Sequence, residues 1–317
     1  MSISARRAAL RELLHETGVD ALLVTDLVNI RYLTGFTGSN AALLVHAGGD
    51  AASRFCSDGR YRTQSARQVP DLERVEDRAS ALALAAAAAG WGVARLGFES
   101  DAVTVDAHAA LDAAAEGAAL HRAPGLVQRL RLVKEAGEVA ALRTACAMAD
   151  AALADLLAAG GVRPGRSETE VALDLESRMR GHGAQGPAFE TIVATGAHSA
   201  VPHHRPTDAV LCAGDLVKMD FGALHAGYHS DITRTVVLGP AAVWQRELYD
   251  LVAAAQRAGR DALAPGADVV AVDAAARTVC ADAGRAEEFV HGLGPRGGLQ
   301  LHEAPALSPT GTGPLAA

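Results

Sequence analysis

The chain has 317 residues and a formal net charge of −8. That is long enough for two domains with substantial cores, and too acidic, with no cluster of Lys and Arg, for a general nucleic-acid binder. Half of the residues are hydrophobic but only 4% are aromatic, with Ala supplying much of the apolar share, which fits a helix-rich soluble enzyme better than a β-sandwich.

Residues 4–16 place Leu10, Leu13 and Leu14 on one helical face, with Gly18 to stop the helix. No apolar run follows Arg6 and Arg7, so the segment is not a secretion signal. A-L-L-V-T at 21–25 reads as the first strand, and Gly35 and Gly38 punctuate a turn between a short helix and a second strand. Without a GxGxxG pattern or a Walker lysine these glycines are not a phosphate cradle. The Ala- and Leu-rich run Ser80 to Ala89 is helical by propensity, R-L-G-F-E-S after Gly92 reads as a strand, and a second Ala-rich helix covers roughly 104–116. The apolar stretch Ala79 to Ala94 is too short and too rich in Gly and Ala to span a bilayer. This alternation implies a small three-layer α/β domain ending near Pro124-Gly125. Tyr61, Trp91 and Phe98 read as packing residues.

From Lys134 to Ala158, Val139, Leu142, Cys146, Ala149, Leu153 and Leu156 recur at helical spacing and open the second domain. Ser167 and Glu170 form a capping box after Pro164-Gly165. A looser version of that pattern returns at Pro265-Gly266: a capping residue, a helix, a glycine stop. The weak repeat suggests a duplicated, pseudo-symmetric domain. Between the two copies, F-E-T-I-V-A-T-G reads as a strand and A-V-P-H-H-R-P-T-D as a loop. Trp244, Leu248, Leu251, Val252 and Ala255 form an apolar stripe that reads as core. The four cysteines, Cys56, Cys146, Cys212 and Cys280, form no C-x-x-C and are expected to be buried free thiols in a reducing compartment, hence a cytoplasmic protein with no membrane contact.

The stretch Gly214 to Val237 carries the chemistry. Val217, Met219 and Phe221 alternate with Leu216, Lys218 and Asp220, and Tyr228 to Val237 alternates again, so two strands are expected, with Gly222 and Gly227 suited to the reversal. With the hairpin centred between His225 and Ala226, Asp220 faces Asp231 directly, at a Cβ separation of ~4.5–5.5 Å where like charges destabilise the pair. Either one carboxyl takes up a proton or cations bind. Hard oxygen ligands this close suit Mn, Mg, Co or Zn, and two ions ~3.5–4 Å apart are a recurring hydrolytic device. The competing reading has Asp231 capping a turn while Asp220 pairs with Lys218 or Arg234.

V-K-M-D-F-G and H-S-D-I-T-R-T, with A-V-P-H-H-R-P-T-D upstream and H-G-L-G and L-Q-L-H-E-A-P downstream, resemble the Xaa-Pro aminopeptidase and prolidase family of pita-bread metallopeptidases. The resemblance extends to the N-terminal segment, where F-C-S-D-G-R-Y-R-T-Q looks like a strand and helix of the family's first domain. It implies an α/β (α+β) fold: a creatinase/prolidase-like domain over 1–125, then a pseudo-symmetric pita-bread domain over 126–317, incomplete at its C-terminus. It further implies that Asp220 and Asp231 bind two divalent metal ions, Mn foremost with Co or Zn as alternatives. His203 and His302 then handle substrate and shuttle protons, and His291 lines the pocket. The implied substrates are peptides with proline at the second position, and the implied assembly is a homodimer.

From the residues themselves, Pro202 holds His203 extended, and a strand through L-Q-L-H-E-A-P turns His302 away from Leu299 and Leu301. A histidine near its ordinary pKa suits proton transfer. His198 and His204 carry no assigned role. The chain departs from the family in two places. It reads H-G-L-G-P-R-G-G, with Pro295 where the family has a metal-binding histidine, and the family's two glutamate ligands fall beyond the last residue, as in a truncated chain. Ions held by two carboxylates alone would be bound mostly by water and exchange readily. Hence a second expectation, a non-catalytic pita-bread module that binds peptide or protein. A creatinase-like amidinohydrolase, which uses no metal, is disfavoured because both aspartates are in place.

Overall fold

The computed structural model describes residues 2–316, except for the side chains of Pro295 and Arg296. Two compact units are present, divided between Val133 and Lys134.

The first unit runs α1 (Ile3–Thr17), β1 (Ala21–Val24), α2 (Leu27–Thr34), β2 (Ala41–His46), β3 (Arg54–Ser57), α3 (Arg62–Gln68), β4 (Glu73–Glu76), α4 (Ser80–Ala87), β5 (Arg95–Phe98), α5 (Val105–Ala114), β6 (Ala119–Arg122) and α6 (Leu126–Arg131). Its six strands order β4-β3-β2-β1-β5-β6. The β1–β2 and β2–β3 pairs are antiparallel, the β1–β5, β3–β4 and β5–β6 pairs parallel. Successive strand residues point to opposite faces. One face buries Ala21, Leu23, Leu44 and Leu96 with Leu84 of α4 and Leu111 of α5, while α1 and α2 meet β2. These are the three expected layers. Helix α1 stops where expected, Gly18 taking φ 67° and donating to Leu14 and His15 carbonyls. Helix α6 packs on α1 with Leu126 and Val127 buried, so the division falls after α6 rather than at the Pro124-Gly125 break. Those two residues form a turn inside the unit because the apolar side chains that follow them join its core.

The second unit runs α7 (Ala136–Ala158), α8 (Glu168–Gly181), β7 (Gly186–Pro187), β8 (Ile192–Thr195), β9 (Leu216–Phe221), β10 (Ala223–His225), β11 (Tyr228–His229), β12 (Ile232–Val237), α9 (Val243–Asp261), α10 (Val269–Asp282), β13 (Gly294–Arg296) and β14 (Glu303–Leu307). The sequence repeat has a structural counterpart. Ser167 caps α8 and bridges Val210, and Asp268 caps α10 and bridges Pro314. Gly165 donates to Leu211 O at 3.0 Å, and Gly266 to Leu315 O at 2.8 Å. Helix α8 lies on α7, and α10 on α9. The first half's core joins Leu153 and Leu156 of α7 to Val171, Leu175 and Met179 of α8 and Val217, Met219 and Phe221 of β9.

Two expectations need correction here. The stripe on α9 is not core: Trp244 is 58% exposed and Val252 57%, and of its five residues only Ala255 is buried. Helix α9 makes its close approach through small residues, a Cβ on Gly259 falling 2.7 Å from Leu293 and 3.3 Å from Ala276, which leaves Trp244 and Val252 outward and Leu248 and Leu251 half-buried. Nor are all the thiols buried, since Cys56 is, Cys146 and Cys280 are half-buried, and Cys212 is exposed. Cys212 lies just before β9, where the chain turns at the surface. No helix among the described residues is long and apolar enough to cross a membrane.

Candidate functional site

The expected alternation in β9 is present: Val217, Met219 and Phe221 are buried, while Leu216, Lys218 and Asp220 on the other face are half-buried. The register differs from the expected one. His225 pairs with Tyr228, Phe221 with Ile232, and Asp220 with Thr233. The reversal is a two-residue turn at Ala226-Gly227, with φ 49° and 82°, as hairpins with the twist-matched primed turns require. Gly227 therefore belongs inside the turn. The hairpin centre moves one residue along, and Asp231 becomes a diagonal rather than a direct neighbour of Asp220. Such neighbours share a face, with Cα atoms roughly 7–8 Å apart.

The carboxyls still meet, because the strands crowd together beside them. A Cβ on Gly222 would fall 1.8 Å from Ser230 O, so only glycine fits. Buried Ser230 ties the crossing together, accepting from Ala223 N at 2.9 Å through its Oγ. Burial pushes the Asp231 carboxyl up to about 6, helped by the charge of Asp220 and a hydrogen bond shared with it. Asp220 Oδ1 is buried with no hydrogen-bond partner among the described residues. The turn-cap alternative is not seen. Lys218 donates instead to Val201 O at 2.5 Å and Pro202 O at 3.2 Å, and Arg234 to Thr233 O at 2.9 Å. Two adjacent carboxyls, one holding a proton against its usual range and one with an orphaned oxygen, fit a bound cation.

The three singled-out histidines are exposed. His203 sits in the loop before β9. His302 lies one residue ahead of β14, so it is not in a strand as expected, although Leu299 is buried and Leu301 half-buried while Gln300 and His302 face out. His291 Nδ1 lies 2.7 Å from Gly292 O, and its ring meets Phe289 edge-on. Among the described residues no hydrogen bond joins any of the three to either aspartate. The side chain of Pro295, at the expected ligand place, lies outside the described residues.

A cluster that the sequence reading passed over stands beside His203. Glu168, fully buried at the first residue of α8, accepts from Thr195 N and His198 Nδ1 on one oxygen at 2.8 and 2.9 Å. Its other oxygen meets His204 Nε2 at 2.8 Å, Thr207 N at 3.0 Å and Thr207 Oγ1 at 2.8 Å. Burial alone would raise its pKa, but the donors, His204 first, hold it down at about 2. His198 and His204 stack at 4.3 Å. One signal was available in the sequence: Glu170 already serves the capping box, which leaves Glu168, two residues before it, without a part in the cap.

Comparison with known proteins adds the ancestry. The profile of Metallopeptidase family M24 matches residues 140–317, and that of the Creatinase/Prolidase N-terminal domain residues 6–133. The chain is 39% identical over 300 residues to the uncharacterized peptidase YqhT of Bacillus subtilis, spanning 94% of this chain and 84% of that protein. It is 31% identical to an Xaa-Pro dipeptidase of Pyrococcus horikoshii, spanning 94% and 82%. Among solved structures, an Xaa-Pro dipeptidase from Bacillus anthracis superposes with a TM-score of 0.93 at 35% identity, covering 99% of this chain and 87% of the other. An X-Pro aminopeptidase from Thermotoga maritima gives 0.87 at 29%, covering 98% and 86%. The fold is therefore the expected pita-bread one.

Proposed function

The chain belongs to metallopeptidase family M24, which makes it a metallo-dipeptidase or metallo-aminopeptidase by descent, and from that premise we propose that it hydrolyses Xaa-Pro bonds at a dinuclear centre. The observation that carries this reading is the Asp220/Asp231 pair, with Oδ1 of Asp220 buried and without a hydrogen-bond partner among the described residues, beside the proton-favouring Asp231. Asp220 and Asp231 would hold two divalent ions, Mn first and Co or Zn next. When bound, such ions supply Lewis acidity towards the scissile carbonyl and lower the pKa of the attacking water. His203 and His302 accept and return the proton, His291 lines the pocket, and the substrate is a peptide with proline at its second position. A homodimer and a cytoplasmic location, the latter resting on the four free cysteines, complete the reading.

One observation favours a second reading, a module that binds peptide or protein without turnover: Pro295 offers no side-chain donor where the resemblance expects a histidine. Calorimetric titration of the folded chain with Mn²⁺, followed by an Ala-Pro hydrolysis assay, separates the two. The peptidase reading expects about two ions bound tightly and turnover. Weak binding and no turnover by folded protein would sink it and leave metal-independent peptide binding as the function to measure. Restored turnover on Pro295→His alone would exclude the module reading.

A further inference from the structure

The segment carrying His203 is held on both sides. Upstream, Lys218 Nζ donates to the carbonyls of Val201 and Pro202, at 2.5 and 3.2 Å. Downstream, Glu168 takes the side chain of His204 and both donors of Thr207 on one oxygen. Its other oxygen takes Thr195 N and His198, whose ring stacks on that of His204. His203 itself is exposed and makes no hydrogen bond among the described residues. Its backbone is thus fixed on either side while its imidazole stays free for chemistry.

We infer that Glu168 and Lys218 are positioning residues for His203, fixing the Val201–Thr207 loop so that the imidazole is presented on the Asp220 side of β9. The inference rests on the proposed role of His203 in proton transfer.

Three features set this apart from ordinary loop packing. Lys218 lies two residues before Asp220 and on the same face of the strand, so the tether that holds the loop stands beside the carboxylate pair. Ordering a lysine side chain costs rotamer freedom, a cost with little return for a solvent loop. Glu168, for its part, is a fully buried carboxylate with five donors spread over three chain segments: the end of β8, the short turn that holds His198 and the His203 loop. Preorganisation of this kind matters because a displacement of ~1 Å at a reacting group can cost ~10²-fold in rate.

The test uses the full chain with Lys218→Met, Lys218→Arg, Glu168→Gln and His203→Ala. The first readout is the histidine-ring ¹H–¹⁵N spectrum, with the His203 signals identified by their loss in His203→Ala. The second is Mn²⁺-supported Ala-Pro hydrolysis. In Lys218→Met and Glu168→Gln the His203 ring signals should shift or double while those of His302 stay in place, and Lys218→Arg should return them to the wild-type position. Where the wild type turns over, kcat should fall about 10- to 100-fold in Lys218→Met with KM little changed, and recover in Lys218→Arg. Lys218→Met keeps the test decisive if Glu168→Gln does not fold. His203 signals that match the wild type in every folded variant would overturn the inference. A wild type without turnover would remove the peptidase reading, and the ring spectrum would still decide whether the loop is held as described.

Discussion

A carboxyl that must share its surroundings with a second carboxylate is easier to keep when it holds a proton. Asp231 has an ordinary pKa of 3.8 and is pushed up to about 6, by burial first and then by Asp220. Between these values the unfolded chain has lost a proton that the folded chain retains, so the metal-free protein loses stability as pH rises from about 4 through about 6. Although its carboxyl is turned in against Asp220, much of Asp231 still meets water, which screens the pair, so the effect should be on the order of 1 kcal/mol. Asp231→Asn should remove it. Urea denaturation of chelator-treated protein at pH 4.5, 6 and 7.5 is expected to show the variant gaining on the wild type as pH rises. Parallel pH profiles for the two proteins would show that the carboxyls do not interact. The same variant should weaken Mn²⁺ binding, since it removes one of the two charges available to hold the ions.

The hairpin is the element on which this pairing depends. Gly222 allows the strands to cross where any side chain would run into Ser230 O, 1.8 Å away. Gly222→Ala must therefore displace backbone. It should destabilise the protein by about 3 kcal/mol or more, in the range of overpacked cores, and abolish Mn²⁺ binding; a wild-type melt would refute the close crossing. Ala226 tells the opposite story. With φ 49° it occupies a left-handed position that a residue with a Cβ resists. Ala226→Asn creates the Asn-Gly pair that such turns favour and should raise stability by roughly 0.5–1 kcal/mol in the same denaturation assay. Phe221, fully buried in the first half's core, should cost about 3–5 kcal/mol when truncated to Ala, read as a drop in denaturation midpoint.

At the scale of the whole molecule, each unit carries its own core. The first has a complete six-stranded sheet covered on both faces, so residues 1–133 expressed alone should give an α/β circular-dichroism spectrum and one cooperative melt. A non-cooperative melt would mean that this core is insufficient by itself. On the second unit, Trp244 and Val252 contribute little buried area, and Trp244→Ser should shift stability by no more than ~0.5 kcal/mol, the range for surface positions. A loss of several kcal/mol would show that this face is covered in solution.

Sequence alone determined whatever depends on residues close together in the chain. The period-2 burial of β9, the Gly18 stop, the Ser167/Glu170 capping box and the repeat of Pro-Gly, cap and helix follow from local geometry, and they appear where expected. The pairing of two carboxylates was legible for the same reason, since a hairpin joins near neighbours. Its register was not, because the turn could centre on either side of Ala226 and only the φ demands of a two-residue reversal chose between them. Tertiary structure alone decided which way the α9 stripe faces, because burial depends on what packs opposite, and the small Ala255 and Gly259 allowed the closer approach. It alone decided the meaning of Glu168, His198 and His204 as well. The donors that meet on Glu168 come from the end of β8, the turn at His198 and the loop up to Thr207, and a hydrogen-bonded hub drawn from separate segments leaves no period in the sequence.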